Sequence, residues 1–340
     1  MPFNVIIPGI HFLDLSIMPI NIITHSDCLE HEPGSGHPEN PQRLRGVLSA
    51  LNTAEINSDL DFYEAPLGSD AQILLAHEEY HLERIRKTAP VEGEASLDAD
   101  THMSPGSLNA ALRAVGAACQ GVDKLMNGEA ETVFCATRPP GHHATPNQAM
   151  GFCLFNHVAI AALYAQQKYT PERIAIVDFD VHHGNGTQDI MRGRDGIFYI
   201  STHQNPLYPG TGQVSENLNN NILNVPLHGG TGHKTYKAVF EEQVLTALDA
   251  WQPQLVLVSA GFDAHRDDPL AGLALTDETY YWLGETLKTI ANNYCGGKLL
   301  SVLEGGYNLE VLPGSVISYL AGNLQLIGTE VPPTKIRSTL

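Results

Sequence analysis

Basic side chains are scarce in this chain: 19 Lys and Arg face 38 Asp and Glu, for a formal net charge of −19. So acidic a surface repels phosphate backbones, which argues against nucleic acid as a partner and is compatible with a cationic substrate. Long apolar runs are missing as well. None approaches the roughly 20 residues that a bilayer-spanning helix needs, so no membrane role is expected. Residues 1–17 are apolar in patches, but Asp14 interrupts them and no Lys or Arg precedes them, unlike a secretory signal. They read as a dispensable extension, or a mis-called start, before a first strand in Met18-Pro19-Ile20-Asn21-Ile22-Ile23. The five cysteines, Cys28, Cys119, Cys135, Cys153 and Cys295, are odd in number and form no CxxC pair. That disfavours a disulfide framework or a thiolate metal site; core packing or reduced surface thiols and a cytoplasmic location fit better. Repeats, low-complexity tracts and linker-like charge blocks are absent. At 340 residues, 43% hydrophobic, the chain has the means to bury a sizeable core in one large α/β domain or two medium ones.

What recurs is a short, β-branched apolar run that ends in a turn rich in glycine or histidine. Thr132–Thr137 leads into Arg138-Pro139-Pro140-Gly141-His142-His143, and Arg173–Phe179 into Asp180-Val181-His182-His183-Gly184. Gly196–Thr202 leads into His203, Gln254–Ala260 into Gly261-Phe262-Asp263, and Lys298–Leu303 into Glu304-Gly305-Gly306-Tyr307. Runs apolar on both faces and separated by helical segments are the mark of a buried parallel sheet. Ser104-Pro105 predicts the N-cap and first turn of a helix that repeats Leu108, Leu112, Val115, Cys119, Val122 and Met126. Thr276 opens another, through Tyr280, Leu283 and Leu287. The polar residues therefore gather past the carboxyl ends of the strands, the edge where open α/β sheets bind ligands.

The chemistry of that edge is specific. Read as still extended, Asp178-Phe179-Asp180-Val181-His182 puts Asp178, Asp180 and His182 on one face. Asp263 arrives at the end of another strand. Asp180, His182 and Asp263 then supply three oxygen or nitrogen ligands and leave a position for water, as a catalytic zinc site requires. The Pro-Pro-Gly turn holds His142 and His143 stiffly, and one imidazole can carry a proton from activated water to a leaving amine. Tyr307, after two glycines, can donate its phenol to an oxyanion. Taken singly, each of these residues is as readily a cap, a turn or packing. Their convergence is what points to amide hydrolysis.

Five motifs carry a resemblance: Arg138-Pro139-Pro140-Gly141-His142-His143, Gly151-Phe152-Cys153, Asp178 through Gly186, Ser259-Ala260-Gly261-Phe262-Asp263 and Glu304-Gly305-Gly306-Tyr307. In order and content they resemble the zinc-dependent histone deacetylase superfamily, closest to its class II-like bacterial members, which include acetylpolyamine amidohydrolases. The likeness runs from about His25 to the Gly-Gly-Tyr turn. It implies an α/β arginase/deacetylase fold, a single domain over 18–330 with a mainly parallel sheet of about eight strands, and a C-terminal tail at 331–340. It also implies one catalytic zinc ion (Zn2+) on Asp180, His182 and Asp263, with His143 as general base and acid. His142 would act electrostatically, oriented by Asp178, and Tyr307 would polarise the amide carbonyl. A structural potassium ion (K+) would sit among Asp178, Asp180, His182, Ser201 and Thr202. Gly151, Phe152 and Tyr208 would line a narrow tunnel, with Asp100 and Leu270 at its rim. The implied substrates are acylated lysines in proteins or peptides, or acetylpolyamines; a homo-oligomer is left open. Asn185 stands where class I members carry an aspartate, which leaves an imidazolium at His143 less stabilised. Leu270 occupies a position where polyamine-selective members place an acidic group, and tilts the reading toward acyl-lysine peptides.

Three other readings compete. His77-Glu78-Glu79-Tyr80-His81 matches the HExxH pattern of zinc peptidases, but His81 is followed by Leu-Glu-Arg-Ile-Arg rather than by a third-ligand motif. An arginase-type two-manganese centre wants a carboxylate two residues after His182, where this chain has Gly184. A non-catalytic acyl-lysine binder would have lost a ligand, the paired histidines or the tyrosine, and all are present.

Overall fold

The computed structural model describes residues 18–218 and 221–325; the expected N-terminal extension (1–17) and C-terminal tail (331–340) lie outside the described residues. Among the described residues ten strands form in chain order: β1 Ile20–Thr24, β2 Leu60–Glu64, β3 Ala95–Ser96, β4 His102–Met103, β5 Thr132–Cys135, β6 Ile174–Asp178, β7 Ile197–Gln204, β8 Ile222–Leu227, β9 Leu255–Ala260 and β10 Leu299–Leu303. β3 and β4 make a small antiparallel ribbon. The other eight form one sheet in the order β2-β1-β5-β10-β9-β6-β7-β8, and every neighbouring pair is parallel.

The four central strands, β5, β10, β9 and β6, are buried at every position. They read as continuous apolar runs because helices cover both faces, and alternation splits them between two cores. Phe134, Val177, Val258 and Leu303 pack on one face against Tyr280, Leu283 and Leu320. Val133, Ile176, Leu257 and Leu300 pack on the other against Val115, Val122 and Val158. All five cysteines are buried and unpaired.

The β3-β4 ribbon has no counterpart in the sequence reading, nor do two strands of the main sheet, both of them edges. β2 exposes three of its five residues, and β8 carries Pro226, whose missing N–H an edge strand tolerates. Neither had to be apolar on both faces. The helix expected from Ser104-Pro105 begins later, at Ser107, with Gly106 as N-cap. The Ser104 hydroxyl instead accepts from the Glu32 N–H and donates to the Glu30 carbonyl, so this turn is docked on the 30–32 segment. Thr276 does cap its helix, Asp277–Cys295.

Helix Asp277–Cys295 and helix Leu312–Asn323 pack closely because glycine sits on each at the contact. A Cβ on Gly284 would lie 2.1 Å from the Tyr319 carbonyl, and one on Gly322 2.1 Å from that of Tyr281. Backbone cannot step aside as a side chain can, so Gly284→Ala should lower stability by roughly 1–3 kcal/mol, read as a fall in Tm. An unchanged Tm would mean the two helices can separate freely.

Candidate active site

The loops leaving the four adjacent central strands β5, β10, β9 and β6 bring Arg138–His143, Glu304–Tyr307, Gly261–Asp263 and Asp178–His182 to one place. Asp180, His182 and Asp263 offer ligand atoms that all lie within 4.8 Å of one another. His182 Nδ1 is 3.2 Å from Asp180 Oδ1 and 3.1 Å from Asp263 Oδ2. The route to this grouping differs from the extended strand expected. β6 ends at Asp178, whose Oδ1 accepts from the Asp180 N–H at 3.2 Å, and Asp180 Oδ1 accepts from the His182 N–H at 2.9 Å. Carboxylates that close turns on their own backbone end the strand and still turn successive ligands inward.

The surroundings fit a divalent cation. Gly261 and Gly305 leave the space: a Cβ on either would come within 2.1 Å of Asp180 Oδ2 or Asp263 Oδ2, respectively. Gly305 N–H donates to Asp180 Oδ2, and Val181 N–H to Asp263 Oδ1, which aims the remaining lone pairs at His182. Burial pushes the His182 imidazole down, but the Asp180 and Asp263 carboxylates outweigh it and bring it to about 10. Burial, then the Asp180 charge, lifts Asp263 to about 7. Two buried carboxylates and an imidazole aimed at one point demand positive charge there, and a borderline ion such as zinc suits that donor set.

The paired histidines sit in opposite electrostatic states. His142 Nδ1 meets Asp178 Oδ2 at 3.0 Å; burial opposes its charge, but Asp178 and then Asp180 hold it well above the ordinary histidine range. His143 Nδ1 meets the neutral Asn185 Oδ1 at 2.8 Å, and burial, then the charges of His142 and His182, hold it well below that range. Asn185 Oδ1 accepts, so Nδ1 carries the His143 proton and Nε2 keeps its lone pair. Gly151 (φ +55) is required here, because a Cβ would lie 2.4 Å from the His143 ring. Phe152, next to it, holds φ 67, a left-handed conformation that costs a non-glycine residue energy.

Asp100, His143, Gly151, Phe152, His182, Leu207, Tyr208, Leu270 and Tyr307 line one cavity of about 240 Å³. Every residue expected to contact substrate is among them. Phe152 meets Tyr307 edge-on at 5.7 Å, and Tyr208 meets His143 at 5.1 Å. Burial keeps the Tyr307 phenol well above its usual range, so it stays protonated although the Arg43 guanidinium, 4.8 Å from its ring, pulls the other way.

Behind these groups lie supports of which the sequence singled out Arg43, by resemblance, as a tunnel-floor arginine or a plain salt bridge, and gave Asp268, Glu304 and Glu39 no role. Asp268 accepts from the Tyr307 N–H at 2.7 Å and from the Leu270 N–H at 3.0 Å, tying the phenol's turn to the rim. Glu304 Oε2 accepts from Gly141 and His142 N–H. Glu39 receives both Arg138 and Arg43, and Arg43 also donates to the Gly306 and Glu304 carbonyls. Glu304, between the apolar run that ends at Leu303 and Gly305-Gly306, carried the signal of a charge at a strand end, whereas Asp268 and Glu39 stand among polar residues and prolines that carry none.

Of the groups expected around a monovalent cation, Asp178 and Ser201 are register neighbours on β6 and β7. His203 Nε2 faces the Gly212 carbonyl at 2.9 Å and must donate to it, so Nδ1 takes the Ser201 proton and that bond uses neither Ser201 lone pair. The Thr202 hydroxyl pairs with the Tyr236 hydroxyl at 2.7 Å. The HExxH segment holds no metal geometry. His77 Nδ1 donates to the Thr145 carbonyl, Nε2 accepts from the Asn156 N–H, and His81 Nε2 bonds the Leu154 carbonyl. Both rings brace the loop that carries Gly151 and Phe152.

A parallel α/β sheet with this constellation on its carboxyl edge defines a hydrolase class. Residues 37–322 match the family described as Histone deacetylase domain, and the chain belongs to that family. It is 38% identical over 296 residues to the histone deacetylase-like amidohydrolase of Pseudomonas aeruginosa, covering 85% of this chain and 78% of that one. It is 37% identical to type-2 histone deacetylase 2 of Dictyostelium discoideum over 85% of its own length, and spans 20% of that protein. The crystal structure of the HDA15 HD domain superimposes with a TM-score of 0.83 at 34% identity, covering 90% of each chain. These are hydrolytic deacetylases and amidohydrolases, and the family is zinc-dependent. No helix among the described residues is long and apolar enough to cross a membrane.

The buried histidines outside the metal group set the acid limit of the fold. Burial holds His77 down to about 3, and His157 and His203 to about 4. Unfolded histidine titrates near 6.5, so below that pH the unfolded chain binds protons that the folded chain refuses, and stability falls as pH drops. Denaturant midpoints should decline from near pH 6.5 toward pH 4, because these three rings and His183, which burial likewise holds down to about 3, take up more protons on unfolding than Asp263 and Glu304, both raised to about 7, release. A flat profile would show that these rings are charged in the fold.

Proposed function

We propose that this chain is a zinc-dependent deacylase that removes acetyl or other acyl groups from lysine side chains. The observation that carries this reading is the opposite state of the paired imidazoles beside the metal group: His142 charged on Asp178, His143 neutral on Asn185. Asp180, His182 and Asp263 would hold the zinc, which when bound supplies Lewis-acid polarisation of the amide carbonyl and a more acidic water. His143 Nε2 accepts the proton of the attacking water, since its Nδ1–H is occupied by Asn185. The His142 charge and the Tyr307 phenol stabilise the carbonyl oxygen as it gains negative charge. His143 then returns the proton to the departing lysine nitrogen, so the base of the first half is the acid of the second. A potassium ion among Asp178, Asp180, His182, Ser201 and Thr202 would be structural.

Phe152 and Tyr208 supply aromatic walls for the lysyl methylenes, and Asp100 offers the rim an acceptor for substrate backbone. Leu270 at the same rim is apolar, which supports acyl-lysine peptides over acetylpolyamines, whose second ammonium would want a carboxylate there. The acidic chain and its cysteines, all reduced, support a cytoplasmic setting.

Tyr307→Phe should lower kcat by about 10²–10³ with zinc content intact by metal analysis. Asp180→Ala should lose the zinc itself. Rates on acetyl-lysine peptides, longer acyl-lysines and N-acetylpolyamines, compared side by side, test the substrate: polyamine preference would overturn the Leu270 argument. No turnover of any amide by zinc-loaded protein would leave the acyl-lysine binder as the reading.

A further inference from the structure

His183 follows the metal-group residue His182 and is buried, yet it takes no part in the chemistry above. Its contacts lead to the segment that carries Tyr208. Gln188 Nε2 donates to Glu216 Oε2 at 2.9 Å, so its Oε1 is the acceptor, and it also receives Asn224 Nδ2 at 2.7 Å. His183 Nε2, 3.1 Å from that Oε1, must therefore donate. Nδ1 is left as an acceptor, and the Thr211 hydroxyl, 2.7 Å away, is its donor. Glu216 and Thr211 belong to the same stretch after β7, so one chain of hydrogen bonds grips that stretch at two points.

A second grip lies beside the first. His203 Nε2 donates to the Gly212 carbonyl at 2.9 Å, and the His183 and His203 rings are 4.8 Å apart. Gly212 (φ +84) closes over both: a Cβ there would lie 2.5 Å from His203 Nε2 and 2.6 Å from the His183 ring. Tyr208 stands three residues before Thr211, is 39% exposed, and reaches the cavity with its ring edge-on to His143. An exposed ring on a loop takes its position from its backbone, and that backbone is held by these two histidines.

We propose that His183 and Thr211 are positioning residues for Tyr208, so that substrate fit is set from the buried side of the metal loop. The proposal rests on the reading of Tyr208 as a wall of the acyl-lysine tunnel. Loss of the Thr211 hydroxyl frees the wall without touching the reacting groups, and weakens substrate binding while turnover stands.

The test is Thr211→Val, Thr211→Ser and Tyr208→Ala, alone and with Tyr208→Ala combined with Thr211→Val, on zinc-loaded full-length protein and an acetyl-lysine peptide. Thr211→Val should raise KM about fivefold, with kcat within about twofold and metal content unchanged, the worth of one lost hydrogen bond. Thr211→Ser should restore KM. In the Tyr208→Ala background, Thr211→Val should add nothing, because its effect passes through that ring. Deuterium uptake in 205–217, read without substrate, should rise in Thr211→Val and return in Thr211→Ser. An equal KM effect with and without the Tyr208 ring, or unchanged deuterium uptake, overturns the proposal. So does a fall in kcat with loss of metal, which would assign His183 to the metal loop alone. A Tyr208→Ala variant with unaltered KM sinks the tunnel-wall reading itself; one with raised KM beside a silent Thr211→Val sinks only the strap.

Discussion

One buried carboxylate holds the floor of this site together. Glu39 is fully buried, receives Arg138 and Arg43, and faces His31 Nε2 at 3.2 Å. Burial pushes its acid upward, but the Arg138 charge and then His31 overcome this and hold it well below the usual carboxylate range. The partners come from different places. Arg138 opens the segment that ends in His142 and His143, while Arg43 sits on helix Pro41–Thr53 and donates to the carbonyls of Gly306 and Glu304. Glu39 thus fixes the base and the phenol to one another. Such a cluster is costly to break, since losing one member strands a buried charge at about 3–5 kcal/mol.

The charges above that floor then set one another's states. Asp178 makes His142 a cation, and that cation, with burial, keeps His143 neutral. Glu304 has burial against it and rises to about 7, yet its Oε2 still accepts the two N–H groups that begin the histidine pair. A carboxylate in place of Asn185 would favour the cationic state of His143, whereas the neutral amide leaves the ring free to begin as a base.

Central strands and reacting groups were legible in the sequence for one physical reason. Strands buried on both faces must be apolar throughout, and loops that leave them must carry whatever the sheet edge does. Edge strands β2 and β8 obey neither demand and went unread. The ligand set Asp180, His182 and Asp263 was legible as chemistry, although the backbone that aims it is a pair of carboxylate-closed turns. The start of the Ser107–Met126 helix was misplaced because the Ser104 hydroxyl found partners 72 and 74 residues away in sequence, which no local cap pattern encodes.

The rim was legible through the resemblance alone, and the reason is how it is suspended. Leu270 sits on a loop whose Gly272 N–H donates to Gln204 Oε1 at 2.8 Å, while Gly230 N–H reaches the Gly272 carbonyl. Asp100 offers its main-chain carbonyl to His37, and the His37 ring packs edge-on against Phe152 at 4.6 Å. Asp268 links Leu270 to the Tyr307 turn. Each rim residue is thus placed by a polar side chain from elsewhere in the chain, so its own identity says little about where it stands. Chemistry that needs a few groups at fixed separations leaves motifs behind. Selectivity carried by loops hung from strand ends leaves pairs such as His183 with Thr211, which become visible once the fold has brought them together.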